Sequence, residues 1–385
     1  MVFKYLLVGL IPLVSCTPNP KTRPRDNFKP LFRNYGASHV IDSVLDNLGS
    51  DDQEYCLFFD FDKTISKQYL TDIVRDKQIE KGLYGFGPDM VQDVFGFQNV
   101  PPSLDCFFPT VEFREKVAEI YDFFVKHQPE LKFKPDTWSS EKQNELRKLI
   151  DDWGELVFKS ITYEGDAHER CFYLLLTKDY RLLFGLKENI RNKLIADAFD
   201  VPGSSHLSPE HLIAKKQKQF AYPKMLEFIN VLRQKNAKSF IITATHYEYL
   251  DPTLKALGIE DQFTGVRGSS ATGDLWENVL AGNGYSMSAE RKAVAVTKII
   301  NDEQCCGLFA VGDSKYDYEM LQVIIEVQEK YGLVISHAPL QPPPKVMPEI
   351  KELEYFPFKY RTRVATQHVD GDDWVQGSLL PISEA

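Results

Sequence analysis

Residues 56–64, Cys-Leu-Phe-Phe-Asp-Phe-Asp-Lys-Thr, constrain this chain more than any other stretch. They begin as an apolar run, Leu57-Phe58-Phe59, with Tyr55 and Cys56 ahead of it. A short aromatic run of this kind is expected of a strand covered on both faces, as in a parallel sheet. The run stops at two carboxylates, Asp60 and Asp62, one residue apart. On a continuing strand both would point to one face, and like charges that close raise each other's pKa unless a cation lies between them. Ligands of open α/β sheets sit at the carboxyl ends of strands. The local chemistry therefore points to a metal-bound carboxylate pair at a strand end; the plainer alternative is a strand followed by an acidic turn.

The length, 385 residues, suits either several domains or one core with a large insertion. A hydrophobic fraction of 43% and a charged fraction of 26% are those of a soluble globular protein. The net charge of -10 argues against nucleic acid as a partner, which needs a basic footprint. It leaves room for a phosphate pocket, because a divalent metal can supply local positive charge. The six cysteines show no CxxC and no zinc-like Cys/His spacing. Cys305 and Cys306 would pair with other cysteines in an oxidising compartment; the simpler expectation is that they are small apolar residues ahead of a strand.

Residues 1–16 read as an export signal: Lys4 is a short positive region, and 5–14 form an apolar stretch too short to span a bilayer. Leu13-Val14-Ser15-Cys16 resembles a bacterial lipobox, which would lipidate Cys16; simple cleavage is the alternative. No other segment is apolar enough for a transmembrane helix. Residues 17–36 form a Pro-rich polar tether. The expected localisation is outside the cytoplasm: periplasmic or a cell-surface lipoprotein in a bacterium, secreted otherwise.

A helix is expected over 37–48, just ahead of the first strand. Residues 67–220 then read as mostly helical, with helices over 70–79, 111–127, 140–160, 168–176, 180–199 and 207–219 and breaks at Pro129, Pro135 and Gly165. From Pro223 the pattern alternates: a helix to 233, a strand at 239–242 ending in Thr243-Ala244-Thr245, a helix over 249–257 closed by Gly258, a short strand at 263–266, a helix over 289–301, a strand at 308–311 ending in Gly312-Asp313-Ser314, a helix over 318–328 and a strand at 333–335. Strand–helix alternation implies an α/β fold with a doubly wound parallel sheet. The expected organisation is a core of 37–66 and 221–345, a helical cap of 67–220 inserted after the first strand, and a tail, 346–385, packing on the core. Tyr84, Phe86, Trp138 and Trp153 in the insertion would suit an aromatic cage for a quaternary ammonium group, but packing in the cap is the simpler expectation.

In a parallel sheet the strand ends carrying Asp60 and Asp62, Thr243, and Asp313 and Asp317 fall along one edge. Asp60-Phe61-Asp62-Lys63-Thr64 resembles the first motif, DxDxT, of the haloacid dehalogenase-like (HAD) phosphohydrolases. Thr243 matches the Ser/Thr of their second motif, Lys292 the lysine of the third, and Gly312-Asp313-Ser314 with Asp317 is similar to the fourth, GDSxxD. An insertion between the first and second motifs resembles the branch with a C1 helical cap, which holds phosphoserine phosphatase and the phosphocholine and phosphoethanolamine phosphatases.

The resemblance implies a Rossmannoid core and an exported, Mg²⁺-dependent phosphomonoesterase acting on a small phosphorylated metabolite. Asp60 would be the nucleophile that forms an aspartyl-phosphate, and Asp62 the general acid and then base. Mg²⁺ would be held by Asp60, the backbone carbonyl of Asp62 and Asp313, with Asp317 supporting its shell. Thr243 and Lys292 would bind the phosphoryl group. Lys298 and Thr245 compete for those two places. Lys63 is uncommon at its position, and a cation beside Asp62 would weaken it as an acid unless the side chain points away. Two rival functions use the same residues: a non-catalytic envelope binding lipoprotein, and a phosphotransferase returning the phosphoryl group to an alcohol.

Overall fold

The computed structural model describes residues 37–48, 53–101, 107–131, 138–161, 168–271, 275–281, 284–337, 353, 355–360, 362–370 and 373–374. The expected signal and tether, with Cys16, lie outside the described residues. Among the described residues no helix is long and apolar enough to cross a membrane.

Every residue of the central strand β1 (Tyr55–Phe59) is buried. Alternation sorts them: Leu57 and Phe59 join one core layer, while Cys56 and Phe58 join the other. Full burial of each phenylalanine stabilises the fold by roughly 2–3 kcal/mol. The other strands are β2 (Lys238–His246), β3 (Gly265–Ala271), β4 (Gly284–Tyr285), β5 (Cys306–Gly312), β6 (Tyr331–Ser336), β7 (Val364–Asp370) and β8 (Asp373–Trp374). Their order is β4-β3-β2-β1-β5-β6-β7-β8, and only the two edge pairs are antiparallel. This is the α/β parallel-sheet fold expected from the alternating pattern.

Register places the site. Phe59 pairs with Ile241 on one side and Val311 on the other. Asp60 and Asp313, which follow β1 and β5, and Thr243, inside β2 two residues past Ile241, therefore lie toward one end of the sheet. Between β1 and β2 the chain is helical, including Val111–Leu131, Ser140–Ser160 and His168–Leu176. These helices have a core of their own, with Tyr84, Phe86, Trp138 and Trp153 buried in it. Tyr84 packs edge-on against Phe86 and Phe124, and Trp153 against Phe95. The four aromatics are cap packing, as the simpler expectation had it.

Three expectations need correction. Residues 180–199 are not one helix: a 3-10 turn, Tyr180–Leu183, precedes the helix Glu188–Ala198. The break falls at Gly185, φ +74, where the backbone of Gly85 approaches so closely that a Cβ on either residue would strike the other's main chain. The tail does more than lie on the core: β7 pairs in parallel with β6. Four of its seven residues, Thr366, Gln367, His368 and Asp370, are polar, and Gln367 is buried with its amide donating to the His368 carbonyl at 2.8 Å. Finally, Cys305 is not an unpaired apolar residue. It forms a disulfide with Cys56, 249 residues away, inside the core. Cys171 and Cys306 are disulfide-bonded as well.

A cross-link over so long a loop restricts the unfolded chain by roughly 2–4 kcal/mol. Under non-reducing digestion, the peptides containing Cys56 and Cys305 should be recovered joined. The C56A/C305A variant should unfold at a distinctly lower temperature; recovery of both peptides as separate thiols would refute the pairing.

Candidate active site

Asp60 follows β1 directly, and its N–H donates to the Val311 carbonyl of β5 at 3.0 Å. The strand pairing thus extends to the carboxylate-bearing residue and fixes its backbone. Asp313 follows β5, and Asp317 closes the next turn. Ser314 caps that turn while Asp317 reaches back: Asp317 Oδ2 accepts from the N–H groups of Asp313 (3.2 Å) and Ser314 (3.0 Å) and from the Ser314 hydroxyl (3.0 Å). Gly312 permits this, because a Cβ there would overlap Asp317. Oxygens of Asp60, Asp313 and Asp317 come within 4.8 Å of one another.

Lys292 lies in the first turn of the helix Glu290–Asp302. The start of that helix is tied to the Asp317 turn by the Ala289 N–H, which donates to the Tyr316 carbonyl at 2.8 Å. Its ammonium donates to Asp60 Oδ1 and Asp317 Oδ1, each at 2.5 Å, and all three side chains are buried. Lys298, the competing lysine, is 71% exposed and pairs with Asp302 one turn on. It is not part of the site.

Asp62 points elsewhere. Its Oδ1 accepts from the Leu70 N–H at 2.9 Å, at the start of the helix Leu70–Lys81, and its Oδ2 accepts from the Thr245 hydroxyl. Thr245 therefore serves Asp62, while Thr243, fully buried, receives the Thr245 N–H on its Oγ1 at 3.2 Å. Lys63 adopts a left-handed backbone, φ 57, and its ammonium lies 4.2 Å above the Tyr69 ring. The side chain points away from Asp62, so the expected weakening of that acid does not arise.

Burial dominates the charge states. It pushes the Asp60 and Asp313 carboxyls well above the ordinary range; the neighbouring carboxylates push further, and Lys292 opposes them. Burial also lifts Asp62 to about 6, against the Thr245 and Leu70 hydrogen bonds. For Lys292, burial favours the neutral amine, but Asp317 and Asp60 outweigh it and hold the ammonium charged. One buried cation thus faces three carboxylates. That donor set fits a hard divalent cation, which takes oxygen ligands and would relieve the excess negative charge. Asp317 lies within the cluster, with Oδ1 bonded to Lys292 and Oδ2 to the donors of its own turn.

One neighbour had no place in the motif pattern. His337 follows β6 at the same sheet end, and its Nε2 donates to the Lys63 carbonyl at 3.0 Å and lies 3.7 Å from Asp313 Oδ2. The only signal for it in the chain is a polar residue soon after an apolar strand.

The family model for haloacid dehalogenase-like hydrolases matches residues 150–322, which include Thr243, Lys292, Asp313 and Asp317. No curated protein sequence is significantly similar to the chain. Among solved structures, a conserved functionally unknown protein from Anaerococcus prevotii DSM 20548 superposes with a TM-score of 0.61 at 13% identity, over 90% of this chain and 96% of that one. It shares the fold. Cytosolic 5'-nucleotidase IIIB bound to cytidine gives a TM-score of 0.39 at 12% identity, covering 93% and 95% of the two chains. A phospho-aspartyl intermediate analogue of phosphoserine phosphatase gives 0.35 at 12% identity, covering 74% and 87%. Likenesses that weak carry no argument about this site. Over residues 150–322 the chain matches the haloacid dehalogenase-like hydrolases, and its parallel sheet brings the matched motif residues to one edge.

Proposed function

We propose that this hydrolase is an exported phosphomonoesterase that works through an aspartyl-phosphate on Asp60 and needs Mg²⁺. The observation that carries the reading is the state of the Asp60 carboxylate. It is buried at a strand end, one oxygen is held by Lys292, and the other accepts no hydrogen bond among the described residues. A carboxylate oriented on one side and open on the other is ready to attack phosphorus.

In the first step an Asp60 oxygen bonds to phosphorus and the ester P–O bond breaks. Asp62 gives its proton to the departing oxygen. A pKa lifted to about 6 suits it to hold that proton near neutral pH and then to take one from water. In the second step that water attacks phosphorus, the acyl-phosphate bond breaks, and inorganic phosphate leaves. Lys292 and Thr243 stand beside the nucleophile's strand end to meet charge on the equatorial oxygens. Asp60, Asp313 and the backbone carbonyl of Asp62 would hold Mg²⁺, with Asp317 supporting the shell, and the ion would supply electrostatic stabilisation of the phosphoryl charge. The helical insertion would close over the leaving group and exclude water.

Export rests on the buried Cys56–Cys305 bridge, because disulfides persist in oxidising compartments and are rare in the cytosol.

Two outcomes follow. D60N should abolish Mg²⁺-dependent hydrolysis of p-nitrophenyl phosphate, by about 10³-fold or more given the loss of the nucleophile, with unfolding temperature little changed. Turnover within tenfold of the parent would remove Asp60 from that role. Without metal, the raised Asp60 and Asp313 carboxyls bind protons more tightly folded than unfolded, so stability should fall as pH rises from about 4 through their raised pKa values. Mg²⁺ competes with those protons, so the increase in unfolding temperature on adding Mg²⁺ should grow with pH. An increment that is flat from pH 5 to 9 would argue against metal binding by these carboxylates.

A further inference from the structure

The backbone at Lys63 is unusual for a side chain of its size. A φ of 57 is a conformation that residues other than glycine, asparagine and aspartate seldom hold, and it costs about 1 kcal/mol or more. Something must secure it. The hydrogen bond from His337 Nε2 to the Lys63 carbonyl does so, joining the end of β6 to the loop between Asp62 and Thr64. The conformation sends the lysine side chain outward onto Tyr69, where the ammonium lies 4.2 Å from the ring centroid. Tyr69 is 45% exposed and immediately precedes the helix whose first N–H binds Asp62. Its hydroxyl feels Asp313 and Asp62 as well as Lys63.

A second lysine repeats the arrangement on the other catalytic loop. Lys315, between Asp313 and Asp317, lies exposed with its ammonium 5.2 Å from the Tyr316 ring. That ring packs at 4.5 Å against Phe172 of the cap helix His168–Leu176. Among the described residues no carboxylate forms a salt bridge with Lys63 or Lys315, although the chain as a whole is acidic. Two ammonium groups without a salt-bridged carboxylate thus rest on tyrosine faces, on the loops that carry Asp62 and Asp313. A lysine resting on an aromatic face keeps its charge and loses conformational freedom, so it meets an anion in a prepared position.

We infer that Lys63, set on Tyr69 and held by His337, reads the charge of the leaving group and selects phosphomonoesters that carry a second anionic group, such as a carboxylate. Lys315 adds to the same field. This rests on the phosphomonoesterase reading and narrows it: esters of cationic alcohols, including phosphoethanolamine and phosphocholine, are the disfavoured class.

The test uses three esters of nearly equal size, 2-phosphoglycolate, 2-hydroxyethyl phosphate and phosphoethanolamine, with the full chain and Mg²⁺. The parent protein should show kcat/KM falling in that order. In K63N, whose asparagine tolerates the left-handed backbone, the glycolate-to-ethanolamine ratio should fall by about threefold to fivefold, the size expected of a partly exposed charge interaction. In K63E it should fall by roughly tenfold or more, because the charge is reversed rather than removed. Comparing ratios cancels the intrinsic reactivity of each ester. In the unaltered protein, raising NaCl to 0.5 M should compress the same ratio, a readout that requires no variant to fold. A parent preference for phosphoethanolamine, or a ratio unmoved by both substitutions and by salt while turnover persists, would overturn the inference alone. Failure of the parent to hydrolyse any of the three esters or p-nitrophenyl phosphate would overturn the phosphatase reading and this inference with it.

Discussion

The site depends on one buried cation. Lys292 places its ammonium between Asp60 and Asp317 at 2.5 Å from each, with all three side chains out of solvent. Burying a carboxylate costs several kcal/mol even after relaxation. A cluster of Asp60, Asp313 and Asp317 at the heart of a sheet end would not survive without compensation. Lys292 compensates for part of it, and the Ser314 hydroxyl and two backbone N–H groups satisfy the second oxygen of Asp317. What remains is an excess of negative charge with oxygen donors already gathered. The same imbalance that strains the metal-free protein makes the centre suited to a divalent ion.

The rest of the fold keeps those groups aligned. Pairing of β1 with β2 and β5 brings Asp60, Thr243 and Asp313 to one end of the sheet, and alternation on β1 seals the sheet to layers on both faces. The Cys56–Cys305 bridge joins β1 to the residue just before β5, at the opposite end of those strands from the carboxylates. It holds the central strand pair while leaving the loops that carry the carboxylates free of covalent constraint. At that end the constraints are hydrogen bonds: Asp60 to Val311, Ala289 to Tyr316, His337 to Lys63.

Much of this was legible along the chain. The apolar run at 57–59 and its abrupt end at Asp60 report a buried strand and a polar edge, because burial on both faces and a ligand site at the strand end each leave a local mark. Lys292 was legible by its place in the motif order, and its exposed rival Lys298 was not excluded until the helix face was known. Features made by distant segments left no such mark. Cys56 and Cys305 are 249 residues apart, and neither is flanked by a pattern that announces a partner. The break in 180–199 comes from Gly85 touching Gly185, a contact between two chain segments that helix propensity does not register. β7 was hidden because Thr366, Gln367, His368 and Asp370 leave no apolar run in it. Thr245 and Thr243 look alike in sequence, and only their hydrogen bonds separate the one serving Asp62 from the other.

The central claim is that a single divalent ion can occupy the gap left by Lys292 among these carboxylates. Crystals grown with Mn²⁺ in place of Mg²⁺ and measured at the manganese absorption edge test it directly. One anomalous peak within coordination distance of Asp60 and Asp313, with Lys292 still bonded to Asp60, is the predicted result. A well-ordered site with no peak there, or a peak that appears only when Lys292 has swung away, would contradict the account.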